Sequence, residues 1–204
     1  MKLIFGTTNK RKVEDLQNII DEMKLDIEVV SMEDIGWNRG EIDEYGSTIE
    51  ENSLIKAQAI LSFCSEHNIK YPIMTDDAGL FVDALNGEPG IYTARYADDE
   101  IQLNHELPKY QCVIKLLRNL NNNENRNAKY RCCVTIMMPN GEYYQEFGES
   151  EGTIAKDIIG ELKKPYFYSI FILSGTKVAF NQLKREELEN TYRYNALGKS
   201  LKRF

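Results

Sequence analysis

Apolar positions along this chain alternate between two spacings, and that alternation predicts the order of its elements. The run KLIF at residues 2–5 is short and continuous, as in a buried strand. In NKRKVEDLQNIIDEM, Val13, Leu16, Ile20 and Met23 instead recur near helical spacing. DIEVVSM reads as a second strand, and Gly36, Gly40 and Gly46 mark an acidic loop over residues 36–46. STIEENSLIKAQAILSFCSEH opens on a capping-box pattern, Ser47 or Thr48 with a Glu three residues on. It continues as a helix expected to bury Leu54, Ala57, Leu61 and Cys64, with Asn52 and Lys56 together on a different face.

YPIMT predicts a strand that ends directly in DDAGL, and NGEPG a turn. YQCVIKLLRNL is amphipathic through Val113, Leu116, Leu117 and Leu120, and NNNENRN is a polar connector. AKYRCCVTIMM and EYYQEFGES read as a hairpin closed by Asn140-Gly141. PYFYSIFIL follows as aromatic strand or loop, and KREELENTYRYNALGKSLKRF as one closing helix. The fold class is mixed α/β, one sheet covered by helices, with an antiparallel part in the second half.

Composition narrows this picture. A chain of 204 residues, 42% hydrophobic and 28% charged, matches a globular protein with a real core, as one domain or a large lobe with a smaller one. No apolar run approaches a membrane span and the start lacks a signal-peptide stretch, so the expected location is the cytoplasm. Cys64, Cys112, Cys132 and Cys133 show no CxxC spacing and read as reduced thiols. A net charge of -7 argues against a nucleic-acid binder.

Against that acidic background, TTNKRK places Lys10, Arg11 and Lys12 at a helix start, where the dipole disfavours cations. One reading is a helix capped by Thr8 or Asn9 with solvated cations. The other is an anion site built from helix-start amides and lysine charge, although no Walker pattern is present. Asp76 and Asp77 are adjacent carboxylates at the expected C-terminal end of a strand, where open α/β sheets hold ligands. Alone they read as a turn. Combined with the cationic turn, they suit a phosphate chain bridged by Mg²⁺. Asp43, Glu44, Glu50 and Glu51 are explained mostly by helix capping, with one of them available as a metal oxygen. His67 and His105 are isolated, and no nucleophile signature such as GxSxG occurs.

Four stretches, TTNKRK, TIEENSLIKA, TDDAGLFVDALNGEPGIYTARYA and TYRYNAL, occur in the order seen in the Ham1/RdgB family of inosine triphosphate pyrophosphatases, which the chain resembles over most of its length. The resemblance implies hydrolysis of non-standard nucleoside triphosphates to monophosphate and pyrophosphate. It implies an elongated α/β fold, a single domain over 1–204 with two lobes around a central cleft, usually as a homodimer. Thr7, Asn9 and Lys12 match the family's phosphate-binding turn, with Thr8 inside it. Glu44 matches a metal-binding acid, and Asn52 and Lys56 match its helix. Asp77 matches the general base and metal ligand, with Asp76 beside it, and Arg95 lies in the matched ARY. Nucleotide and Mg²⁺ are the implied partners, with no nucleic acid or membrane.

Ala78 replaces a Ser, losing a hydroxyl beside the phosphates, and the other departures cluster where the family reads the base. Phe167 and Tyr168 replace a Tyr and an Asp, and Glu187 stands for a Lys. The family's Ser-His-Arg becomes Thr191, Tyr192 and Arg193. These changes imply an altered base preference. The competing expectation is a nucleotide-binding regulatory protein on the same fold with little turnover.

Overall fold

The computed structural model describes residues 1–204. Its elements, in order, are β1 (Lys2–Phe5), α1 (Lys10–Glu22), β2 (Glu28–Val30), α2 (Ile49–Glu66), β3 (Ile73–Val82), β4 (Pro89–Gly90), α3 (Asp98–Leu103), α4 (Gln111–Leu120), β5 (Asn127–Met137), β6 (Tyr143–Ile154), β7 (Phe171–Leu173), α5 (Arg185–Leu188) and α6 (Tyr192–Leu201). The strands form a mixed sheet in the order β2-β1-β3-β5-β6-β7, with β4 antiparallel to β3 and β1 parallel to both its neighbours. No helix is long and apolar enough to cross a membrane.

The chain divides into two compact units. The first comprises Met1–Ala78, Cys132–Gly148 and Tyr192–Phe204, and the second Gly79–Arg131 and Glu149–Thr191. In the first, alternation along the strands sends Ile4 and Ile73 into a core with Ala57, Ile60, Phe63 and Cys64 of α2. Residues of opposite parity, Leu3, Phe5 and Met74, are fully buried too, so these strands are covered on both faces, as parallel sheets require. Helices α1 and α6 pack on each other. The second unit centres on an aromatic cluster in which Tyr130 meets Tyr168, Phe171 and Phe180 at ring distances of 5.5, 4.9 and 5.6 Å.

Three expectations change. The strand predicted to stop before DDAGL runs on to Val82, so Asp76 and Asp77 lie mid-strand. Helix α2 buries Asn52, Ser53 and Lys56 beside its apolar residues, while Leu54 and Leu61 are only partly covered, because the strand beneath it offers polar partners. The single closing helix is two, α5 and α6: Thr191 donates its hydroxyl to the Leu188 carbonyl at 2.6 Å, occupying an acceptor a continuing helix would use.

One glycine fixes where α6 begins. A Cβ on Gly148 of β6 would collide with the Tyr192 carbonyl. Gly148→Ala is expected to cost about 3 kcal/mol by overpacking, read as a lower denaturation midpoint with unchanged m.

Candidate active site

Adjacent residues of a strand face opposite ways, and here each aspartate collects its own charged set. On one face, Lys12 donates to Asp76 Oδ1 at 2.8 Å and Arg193 donates to Asp76 Oδ2. The chain reaches this arrangement because Gly6 N–H donates to the Met74 carbonyl at 2.8 Å. Strand β1 thus leaves the sheet level with Met74, and its turn lies beside the next residues of β3. In that turn Thr7 Oγ1 accepts the Asn9 N–H and Asn9 Oδ1 accepts the Arg11 N–H, both at 3.1 Å, so Asn9 caps α1. The Lys12 amide goes to the Asn9 carbonyl at 3.0 Å, so these first-turn amides are already used. Thr8, Asn9, Lys10 and Arg11 are exposed, and only Lys12 turns inward. Of the three cations at the unfavourable helix end, Lys12 meets the buried Asp76, and Arg11 acts on Asp15 of the same helix.

Two cations converge on this one buried carboxylate, and Asp15 of α1 also feels Arg193. Burial alone would raise the Asp76 pKa, but Lys12, Arg193 and Lys56 hold it far below the usual carboxylate range. The Lys12 ammonium is pushed down, first by burial and then by Arg193 and Lys56, against the pull of Asp76. The directions agree: burial is the largest influence on Lys12, and the repulsion of Arg193 and Lys56 adds to it.

The other face of β3 has the opposite balance. Lys56 of α2 donates to Asp77 Oδ1 at 3.0 Å and to Glu44 Oε1 at 3.3 Å. Burial raises the Asp77 pKa, Lys56 opposes it, and Glu44 adds to the rise. For Lys56 burial works against the charge, yet Asp77, Asp76 and Glu44 win and push its pKa up. Asp77 Oδ2 and Asn52 Nδ2 are both buried without a hydrogen-bond partner in the protein. Asn52 Oδ1 accepts the Gly46 N–H at 2.8 Å, which anchors the loop carrying Glu44 and fixes which way the amide points.

Beneath this face lies a polar network that the sequence did not mark. Thr135 Oγ1 donates to Ser53 Oγ at 2.8 Å, and Thr75 Oγ1 donates to the Ser53 carbonyl at 2.7 Å. Gln145 Nε2 bonds Thr135 Oγ1 at 3.0 Å and the Glu50 carbonyl at 2.9 Å. These bonds tie the first turns of α2 to β3, β5 and β6, setting the helix register that brings Lys56 to Asp77. No local pattern distinguishes Thr135 from any β-branched strand residue. Thr135→Val keeps the shape and removes one hydrogen bond each from Ser53 and Gln145, which keep their bonds to Thr75 and to the Glu50 carbonyl, so a loss of about 1 kcal/mol is expected in denaturant titration.

The remaining candidates lie elsewhere or are packed. Tyr192, at the start of α6, is buried, with the Arg193 guanidinium 5.7 Å from its ring centroid. Ala78 follows Asp77 on β3 and is half-buried. Arg95, Phe167 and Tyr168 belong to the second unit. Arg95 is exposed, 5.6 Å from the Tyr92 ring centroid, whereas Phe167 and Tyr168 are buried among Tyr96, Tyr130 and Phe180. Glu187 accepts the Lys184 N–H at 2.7 Å. His67 and His105 are exposed, and all four cysteines are free thiols. No group of three or more His, Cys, Asp or Glu side chains converges to hold a metal alone.

Fold and site together define a mixed α/β protein with a cation-rich and an acid-rich set on opposite faces of one strand. The model of the Ham1 family matches residues 3–203, and this chain belongs to that family. It is 32% identical over 190 residues to the dITP/XTP pyrophosphatase of Flavobacterium psychrophilum, covering 93% of this chain and 91% of the relative. It is 32% identical over 201 residues to the enzyme of the same name from Leuconostoc mesenteroides, covering 97% and 92%. The structure of the Staphylococcus aureus Ham1 protein superposes with a TM-score of 0.79 at 29% identity, covering 99% of this chain and 98% of that one.

Proposed function

We propose that this protein is a nucleoside triphosphate pyrophosphatase that hydrolyses non-standard nucleotides of the dITP/XTP type to monophosphate and pyrophosphate. The observation that carries this reading is the back-to-back pair Asp76 and Asp77. Lys12 and Arg193 offer positive charge for phosphoryl oxygens, Glu44 and Asp77 offer two carboxylates with one buried oxygen unsatisfied, and Lys12 acts on Asp77 as Lys56 does on Asp76, so one phosphate chain can meet both sets. The names of the Flavobacterium and Leuconostoc relatives support the substrate class.

The acidic side fits Mg²⁺. That ion keeps several waters and takes only one or two carboxylates plus substrate phosphates, so a set of two acids suffices. Glu44 and Asp77 already hold one cation between them, the Lys56 ammonium. When bound, the metal neutralises phosphate charge. Asp77, its pKa raised by burial, orients a water and takes its proton. Lys12 and Arg193 bind the phosphate chain and stabilise pyrophosphate as it leaves. Asp76 remains ionised and holds both cations in position.

Phe167 and Tyr168, at the family's base-reading positions, are packed in the aromatic core of their unit, which supports a changed or relaxed base preference. The test is pyrophosphate release over a panel of inosine, xanthosine, guanosine and adenosine triphosphates, with and without Mg²⁺. Orthophosphate as the sole product would reject the assignment. Sedimentation of the purified chain tests the homodimer that the family implies.

A further inference from the structure

Asn52 is fully buried in the first turns of α2, and half of its amide has no explained use. Its Oδ1 accepts the Gly46 N–H, so Nδ2 is the free end, a buried donor without a partner. In the same unit, Asp77 Oδ2 is a buried acceptor without a partner, whereas Asn181 Oδ1, another such acceptor, belongs to the second unit. Leaving either group dry and unpaired costs about 1–3 kcal/mol, so each is expected to meet water or a ligand in solution.

The fold sends these two atoms toward one place. Thr75 bonds Ser53, the neighbour of Asn52. Between the end of α2 at Glu66 and the start of β3 at Ile73 the chain turns back, so β3 runs toward the N-terminal end of that helix. Asp77, on the same strand face as Thr75, therefore lies one strand repeat nearer that end. Long helical side chains lean toward their own N-terminus, which is how Lys56, one turn after Asn52, reaches Asp77. Asn52 stands on the same helix face, one turn nearer the end toward which β3 runs.

We propose that Asn52 is a positioning residue: its Nδ2 donates to the attacking water whose proton is directed at Asp77 Oδ2. A water between them accepts from the amide and donates to the carboxylate, which aims one oxygen lone pair outward. As that oxygen bonds to phosphorus, the bond from phosphorus to the bridging oxygen breaks. The electron pair leaves with pyrophosphate, and the water proton passes to Asp77. The inference rests on the pyrophosphatase reading and adds a residue whose effect is on geometry rather than binding.

Asn52→Asp separates the roles, because it keeps an acceptor for the Gly46 N–H and removes the donor; Asn52→Leu removes both. For Asn52→Asp the expected result is a kcat about 10- to 100-fold lower, as for a misplaced reactant. KM and the Kd for a non-hydrolysable triphosphate analogue should be unchanged, and the melting temperature should fall by less than in Asn52→Leu, because the new carboxylate is buried on the acidic side of the site but still holds the Gly46 N–H. Asn52→Leu should also melt earlier. Wild-type kcat in Asn52→Asp overturns the proposal. So does a raised KM and analogue Kd with kcat unchanged, which would make Asn52 a direct substrate contact. So does a melting loss equal to that of Asn52→Leu, which would make it a loop anchor only. Absence of pyrophosphate release by the wild-type protein would instead reject the activity itself.

Discussion

Asp77→Asn is expected to lower pyrophosphate release by roughly 10³-fold while leaving the protein folded, in line with the loss of a positioned general base. The amide oxygen can still accept from Lys56, which now meets Asp77 Oδ1 at 3.0 Å, so the buried ammonium keeps a partner. What is lost is a proton acceptor and one negative charge beside Glu44. A steady-state assay by pyrophosphate detection, paired with a thermal melt, reads both quantities. Retained turnover in Asp77→Asn would move the base elsewhere. A wild-type protein that binds triphosphates but does not turn them over would favour the regulatory, nucleotide-binding alternative.

Asp76→Ala is expected to act on stability instead. The carboxylate is 1% exposed and serves both Lys12 and Arg193. Removing it leaves two largely buried cations facing each other, at a cost of about 3–5 kcal/mol. For a chain of this size that lowers the melting temperature by on the order of 10 °C. Inorganic tripolyphosphate should restore more of the melting temperature in Asp76→Ala than it adds to wild type, because the stranded cations gain an anion. The same pair sets an acid limit in the wild-type protein. Asp76 titrates lower in the folded state than its ordinary value of 3.8, so its contribution is complete above that value. It is lost as pH falls further, and the melting temperature should drop in that window. A flat profile there, or an Asp76→Ala variant as stable as wild type, would show the pair to be dispensable.

Much of the molecule was legible from local rules. The helical spacing of Leu16 and Ile20 and the caps at Asn9 and Thr48 gave α1 and α2, because these features depend on a few neighbouring residues; Glu51 returns its bond to the Ser47 N–H rather than closing a box on Thr48. The hairpin of β5 and β6 followed from Asn140-Gly141, where Gly141 takes a φ of 87°. The family resemblance placed Lys12, Lys56 and Asp77 at chemistry together, and in the structure Lys56 and Asp77 do meet, while Lys12 meets Asp76. What failed were inferences that burial must follow polarity. Two aspartates in a row read as the end of a strand, since carboxylates rarely sit in a core without partners. Likewise Asn52 and Lys56 read as a face of α2 different from the buried one, yet both are buried.

The order of elements, the capped helix starts, the turn at Asn140-Gly141 and the list of candidate charges were properties of the sequence alone, each dictated by residues close together in the chain. Which face of β3 each aspartate addresses, that Arg193 joins Lys12 from more than a hundred residues away, and that Asn52 is buried with an unused donor were decided only by the tertiary structure. The reason is physical: an ionised side chain is tolerated inside a protein only where its counter-ions converge, and those come from segments that no local pattern relates.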